Sequence, residues 1–306
     1  MVTETDIRKA AEILRSGGLV VFPTETVYGL GANALDASAV RKIFELKERP
    51  SNSPLIVHVA SIEQARDLAA DWPEIIDQLA REYWPGPLTL VVPKKPIIPD
   101  EVTAGLQTVG LRVPRHPIAL ELLRETGLPI AAPSANRFTQ LSPTAAAHVR
   151  EAFGQQTPFL LDGGACEVGI ESTVIALTKD GLEVLRPGMM TVRNAMTPTS
   201  PEDPAQKAHR APGQHKKHYS PKTRVLLVTP GKLPAEGRGA YLNFGSQTSK
   251  NAITQSMPNN AEDYAKCLYK VLHEFDSQGL DWIAIEMPPN APEWAAIRDR
   301  LTRAAY

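Results

Sequence analysis

Cysteine is almost missing: only Cys166 and Cys267 occur in 306 residues. That excludes a disulfide framework and any cysteine-cluster zinc site. Two distant thiols suit a reducing compartment, both buried as small hydrophobes. Excess charge of one sign is missing too. Lys and Arg number 33 against 34 Asp and Glu, a formal net charge of −1, so bulk charge argues neither for nor against nucleic acid. No apolar run approaches the ~20 residues that span a bilayer. The start, Met1-Val2-Thr3-Glu4-Thr5-Asp6, shows no basic or apolar leader. The expectation is a cytoplasmic, soluble protein without a membrane partner. There is no Gly-x-x-x-x-Gly-Lys-Ser/Thr and no Gly-x-Gly-x-x-Gly after a strand, so any nucleotide is held in another way. Nor is there a nucleophile elbow or a Ser/His/Asp arrangement. The histidines lack companions at metal-ligand spacing, so no protein metal site is assigned.

What is present fits a globular chain of two domains, with 42% apolar and 22% charged residues. Strands and helices alternate irregularly, which predicts an α/β fold with a mixed sheet covered by helices. Strands are expected at 19–22, 55–59, 88–92, 108–113, 128–132 and 159–161, with an antiparallel pair at 171–177 and 182–188. Helices are expected at 61–69, about 73–83, 117–125 and 143–153, the last with Ser142 as N-cap and Pro143 as first residue. Residues 197–221 are rich in Pro, Ser, Gln, Lys and His and read as a linker. Beyond them, strands at 224–228, 240–244 and 282–286 and helices at 261–274 and 294–303 form a small α/β module.

Several stretches carry polar groups in suggestive company. Val20 to Phe22 is an apolar strand running into Pro23-Thr24-Glu25-Thr26-Val27-Tyr28-Gly29, a turn rich in hydroxyls. An ordinary strand-to-helix connection accounts for it as well as a ligand loop does. Lys47 and Arg49, two apart at a helix C-terminus, serve either the helix dipole or phosphate. Pro133-Ser134-Ala135-Asn136 and Ser142 offer hydroxyls, an amide and a helix N-terminus suited to anions. His58 and Arg112 sit inside apolar strands, and a buried guanidinium needs an anionic partner. Gln214-His215-Lys216-Lys217-His218-Tyr219 is linker composition that could also fold over a phosphate-binding cleft.

These stretches stand in a recognisable order. Phe22-Pro23-Thr24-Glu25-Thr26-Val27-Tyr28-Gly29-Leu30, Lys47-x-Arg49-Pro50, Pro54-Leu55-Ile56-Val57-His58, Trp84-Pro85-Gly86-Pro87-Leu88-Thr89, Arg112-Val113-Pro114, Pro133-Ser134-Ala135-Asn136, Ser142-Pro143-Thr144, Gly169-x-Glu171-Ser172-Thr173 and Leu185-Arg186-Pro187-Gly188 together resemble the YrdC-like family of threonylcarbamoyl-AMP synthases. Ala211-Pro212-Gly213 and Lys217-His218-Tyr219-Ser220-Pro221 resemble the linker of its long form. The resemblance implies a three-layer YrdC-like catalytic domain over 1–195 with a mixed twisted sheet. A linker or lid over 196–221 and a small Rossmann-like α/β domain over 222–306 would follow. It implies a nucleotidyltransferase using L-threonine, bicarbonate or CO2, and ATP, with Mg2+ accompanying the ATP. The product would feed N6-threonylcarbamoyl modification of tRNA adenosine through a separate transfer machinery, with tRNA itself a possible contact.

By the same resemblance, Thr26, His58, Arg112, Ala132 and Ser172 contact threonine. Arg49, Ser53, Thr108, Ser134, Asn136, Ser142, Arg186 and Tyr219 contact ATP. Lys47 and Arg49 lie at the phosphates as the catalytic pair. A carbamoyl-adenylate enzyme of hydrogenase maturation is set aside, since it needs zinc-finger cysteines and a longer chain. A binding protein for double-stranded RNA or tRNA with a basic concavity stays as the alternative.

Overall fold

The computed structural model describes residues 2–196, 210–213, 215, 217–245, 249 and 252–306. Residues 197–209 of the expected linker, with Gln214 and Lys216 of its basic run, lie outside the described residues. In chain order the elements begin α1 (Glu4–Arg15), β1 (Val20–Phe22), β2 (Gly29–Asn33), α2 (Ala37–Lys47), β3 (Ile56–His58), α3 (Ile62–Leu68), α4 (Glu74–Tyr83) and β4 (Leu88–Pro93). Next come α5 (Asp100–Thr103), β5 (Thr108–Arg112), α6 (Pro117–Thr126), β6 (Ile130–Ala131), α7 (Ala146–Phe153), β7 (Phe159–Leu160), β8 (Thr173–Thr178) and β9 (Gly181–Arg186). The chain finishes with β10 (Arg224–Val228), β11 (Gly239–Asn243), β12 (Ala252–Ser256), α8 (Ala261–Asp276), β13 (Trp282–Glu286) and α9 (Ala295–Ala304).

The first sheet runs β7-β1-β2-β6-β3-β5-β4-β8-β9 and mixes parallel and antiparallel pairs, as expected. Side chains alternate across it. Val20 and Phe22 pack with Leu14 of α1 and Leu122 of α6, while Val21 joins Val40 and Ile43 of α2 in a second cluster. Three layers result, helices on both faces of a sheet. Beyond α1 and α6, the Phe22 face continues through His58, which meets the Phe22 ring edge-on at 5.8 Å. There the cover is the linker: Ala211 packs on Ile56, Val174, Ala176 and Leu185.

Strand β2 is an addition to the elements expected. Its two glycines hid it, and packing requires them: a Cβ on Gly31 would lie 2.8 Å from both Ile130 and the Phe22 ring. The helix expected from Pro143 starts at Ala146 instead, with Ala145 as a cap that makes no side-chain bond. Ser142 is therefore not its N-cap. Its hydroxyl goes to Glu171 at 2.5 Å, and a charged acceptor outbids a cap.

The second sheet, β10-β13-β11-β12, is all parallel. Helices α8 and α9 cover one face through Ala240, Leu242, Ile283 and Ile285. The same cluster takes in Val27, Leu141, Ile170 and Tyr219, so residues of the first unit and of the linker help build the core of this one. At the join, the backbone of α8 comes so close that a Cβ on Gly169 would sit 2.4 Å from the Ala265 carbonyl oxygen. The described part of the linker is no loose tether, since Ala211, His218, Tyr219 and Ser220 are all buried. Cys166 is buried and Cys267 half-buried, so only one thiol is hidden as expected. Among the described residues no helix is long and apolar enough to cross a membrane.

Candidate active site

The pocket forms where the 23–28 loop, the ends of β3 and β5, the 132–134 loop and the linker converge. Thr24 sets the loop. Its hydroxyl donates to the Val27 carbonyl at 2.6 Å and accepts from the Thr26 and Val27 N–H groups, both at 3.2 Å. With that proton committed, the 2.8 Å contact between the Thr24 and Thr26 hydroxyls makes Thr26 the donor. Thr26 then accepts from Arg112 Nη1 at 3.1 Å. Arg112 also donates to the Gly86 carbonyl at 3.2 Å and forms an ion pair with Glu25 at 2.8 Å. Both partners are almost fully buried. The anion that a buried Arg112 needs is therefore Glu25, within the chain, and the burial alone does not call for a substrate carboxylate. Burial pushes the Glu25 carboxyl up, but Arg112 outweighs it and holds the group below its ordinary value.

His58 pairs with Arg112 across β3 and β5. Burial, then Arg112, drive its imidazole down to about 3, so the ring is neutral. Its Nδ1 is buried without a hydrogen-bond partner and the residue lines the pocket. Ala132 and Ser134 line it too, Ala132 held by its N–H to the Ile56 carbonyl at 2.9 Å.

Two further guanidiniums line the pocket with no carboxylate at ion-pair distance among the described residues. Arg49 donates through Nη2 to the Ser53 hydroxyl at 2.6 Å and the Pro54 carbonyl at 3.2 Å. Burial lowers it to about 10. Arg186 donates to the Ser172 carbonyl at 3.0 and 3.1 Å, to the Ser172 hydroxyl at 3.0 Å and to the Pro212 carbonyl at 3.2 Å. Burial lowers it as well. Tyr219 lines the same part of the pocket, 1% exposed, and its hydroxyl has no hydrogen-bond partner among the described residues. Only Gly213 fits beside it, because a Cβ there would lie 2.1 Å from that hydroxyl. With the linker in place the free space is about 50 Å³, room for a few waters.

Of the residues singled out from the sequence, Thr26, His58, Arg112, Ala132, Ser172, Arg49, Ser134, Arg186 and Tyr219 meet in this one pocket. Ser53 reaches it through Arg49. Lys47 and Asn136 stand behind the wall. Lys47 donates to the Ser134 carbonyl at 2.6 Å and to the Asn136 carbonyl. Burial drives its ammonium well below the ordinary value. The Asn136 amide is turned to the carbonyls of Arg137 and Gln140. Ser142 is turned to Glu171. Thr108 lies at the far end of β5 from Arg112 and lines a separate depression with Arg210. Linker residue Ala211 covers the sheet next to that depression, on Ala176 and Leu185.

From the sequence, Glu171 stands out only as part of its motif, and Arg300 not at all. Arg300 Nε donates to Glu171 at 2.8 Å. Its position near the chain end, on a helix with a polar stripe, reads as a solvated face until α9 docks.

Fold and pocket define a class: a YrdC-type α/β domain that gathers buried arginines, hydroxyls and a neutral imidazole in one pocket. Comparison with known proteins narrows it. The Sua5–YciO–YrdC family model, described as telomere recombination, matches residues 12–188, and a threonylcarbamoyl-AMP synthase C-terminal domain model matches 177–306. A threonylcarbamoyl-AMP synthase of Pyrococcus abyssi is 40% identical over 99% of this chain and 95% of its own. One of Bacillus subtilis is 40% identical over 99% and 93%. The crystal structure of P. abyssi Sua5 complexed with L-threonine superposes with a TM-score of 0.90 at 38% identity, covering 100% of this chain and 95% of that one. The chain belongs to the threonylcarbamoyl-AMP synthase family, in the form with the additional C-terminal domain.

Proposed function

We propose that this chain joins L-threonine, bicarbonate or CO2, and ATP into threonylcarbamoyl-AMP and pyrophosphate. The observation that carries the reading is the meeting of two sets in one pocket: Thr26, His58 and Arg112, and Arg49, Arg186 and Tyr219. The likeness to a Sua5 protein that binds L-threonine supports the same assignment. Arg112, aimed by Glu25, receives the threonine carboxylate. Thr26, Ala132, Ser172 and the free Nδ1 of His58 orient the rest of the amino acid. Arg49, steadied by Ser53, and Arg186 take the phosphates, with Ser134 beside them. Tyr219 lies against the nucleotide as part of the linker lid. Lys47 acts from behind the wall, fixing the carbonyls of Ser134 and Asn136, and Ser142 acts through Glu171. Thr108, in its separate depression, is given no part in nucleotide binding.

The threonine amine takes up CO2 to give a carbamate. A carbamate oxygen attacks the α-phosphorus, and the bond to pyrophosphate breaks. The protein contributes position and positive charge rather than a nucleophile. Closure by the linker keeps water from the labile carbamate and adenylate. Mg2+ enters with ATP and neutralises its phosphates. Among the described residues the one carboxylate lining the pocket, Glu171, is engaged by Arg300, Ser142 and Tyr269, so no protein ligand is assigned to the ion. The product passes to a tRNA-modifying transfer machinery in the cytoplasm. The test is pyrophosphate release with ATP and bicarbonate, offering L-threonine, L-serine and L-valine in turn. Release that depends on threonine is expected; release without any amino acid would refute the reading.

A further inference from the structure

Arg300 is the largest fully buried side chain among the described residues. It lies on α9, in the unit that carries none of the pocket's other charged groups. Beyond its 2.8 Å bond to Glu171 it donates to Asp299 at 2.7 Å, and its guanidinium carbon stands 4.9 Å from the centre of the Tyr219 ring. Glu171 and Tyr219 both line the pocket. Glu171 further accepts from the hydroxyls of Ser142 at 2.5 Å and Tyr269 at 3.2 Å. The end of α9 holds the linker on either side of Tyr219. The His218 N–H donates to the Arg303 carbonyl at 3.3 Å, the Ser220 hydroxyl to the Ala304 carbonyl at 3.2 Å, and Arg303 Nη1 to the His215 carbonyl at 2.7 Å.

A buried ion pair is expensive to desolvate, and packed apolar residues commonly serve stability as well or better. What a guanidinium offers beyond packing is direction. Its Nε–H fixes one carboxylate oxygen, and its flat face supports an aromatic ring. Here the carboxylate and the ring belong to the pocket and to its lid. We propose that Arg300 is a positioning residue for the reaction. It holds Glu171 and Tyr219 against the Arg49–Arg186 side of the pocket, so that the C-terminal domain sets the affinity for nucleotide. The inference rests on the reading of that side as the ATP site.

The experiment uses the full-length protein. Calorimetry gives the affinity for a non-hydrolysable ATP analogue and for L-threonine, and pyrophosphate release gives turnover. Arg300→Met is expected to weaken the analogue on the order of tenfold and threonine by less than about threefold. Arg300→Lys keeps the charge but neither the Nε–H donor nor the flat face, and is expected to fall between. Arg300→Met leaves Glu171 buried and unpaired, so Arg300→Met/Glu171→Gln is measured beside it. The double variant is expected to regain the melting temperature while nucleotide binding stays weak. Equal weakening of both ligands, or full recovery of nucleotide binding in the double variant, would overturn the role and leave Arg300 a structural residue. The wild type separates the two levels. If it binds the analogue but releases no threonine-dependent pyrophosphate, the proposed reaction fails and the Arg300 role is still decided by the affinities. If it binds no nucleotide, both fail.

Discussion

Arg112 and Arg186 are buried in the same pocket under different electrostatic terms. Arg112 has its own carboxylate, Glu25 at 2.8 Å. Arg186, and Arg49 with it, rest on carbonyls and hydroxyls and have no carboxylate within ion-pair distance among the described residues. The first region is charge-balanced before any ligand arrives. The second is a pair of desolvated cations, which burial already lowers. A buried cation without a partner is costly, and a polyanion such as a triphosphate relieves that cost. A zwitterionic amino acid, itself neutral, adds no net charge to the balanced region, and its carboxylate shares Arg112 with Glu25.

The comparison breaks most visibly at Arg112. Arg112→Ala strands Glu25 in the interior, and removal of one member of a buried pair costs about 3–5 kcal/mol. Urea denaturation is expected to show a loss of that size, and Arg112→Ala/Glu25→Gln to regain most of it without regaining threonine binding. At Arg49 the stability effect is smaller. Arg49→Ala strands no carboxylate among the described residues and leaves only neutral acceptors unmet, so its loss should stay within about 1–3 kcal/mol, while turnover with ATP falls by roughly 10²–10³, the scale of losing one charge-stabilising donor. A fall in stability comparable to that of Arg112→Ala would erase the distinction.

His58 sharpens the threonine region through pH. Its folded value of about 3 lies below the unfolded value of 6.5. The unfolded chain therefore binds the extra proton between them. The contribution of a neutral His58 is fully present above pH 6.5 and is lost as pH falls toward 3. The slope is at most about 1.4 kcal/mol per pH unit. Urea midpoints at pH 7, 6 and 5 should decline in the wild type and decline less in His58→Gln. Tyr219→Ala gives the smallest effect, a three- to tenfold change in ATP affinity, about 1 kcal/mol. Threonine affinity measured alongside should stay put.

Much of this was legible along the chain, and the reasons for the rest are physical. Apolar strands and their closing turns announced β1, β3, β4, β5 and the β8–β9 pair. Strand β2 escaped because Gly29 and Gly31 carry no strand propensity; their need is set by Phe22 and Ile130, distant in sequence. Strand β12 escaped because it is an exposed edge with polar residues. The site was readable as an ordered set of motifs, nine of whose residues line one pocket. Direction was not readable. Nothing in Lys47-x-Arg49 says that the lysine faces the wall and the arginine the pocket. Nothing in Thr24-Glu25-Thr26 says that the carboxylate belongs to Arg112. Ser142 before Pro143 has the pattern of a cap, yet a carboxylate from residue 171 captured it. Arg300 depends wholly on docking between units, and no local pattern marks it.

The most direct measurement is a two-by-two titration. L-threonine and a non-hydrolysable ATP analogue are each bound to Arg49→Ala and to Arg112→Ala/Glu25→Gln, with the wild type as reference. The account predicts a crossed result: Arg49→Ala keeps threonine and loses the analogue, and the double variant keeps the analogue and loses threonine. Loss of both ligands in both variants, or the crossing in the opposite sense, would contradict it.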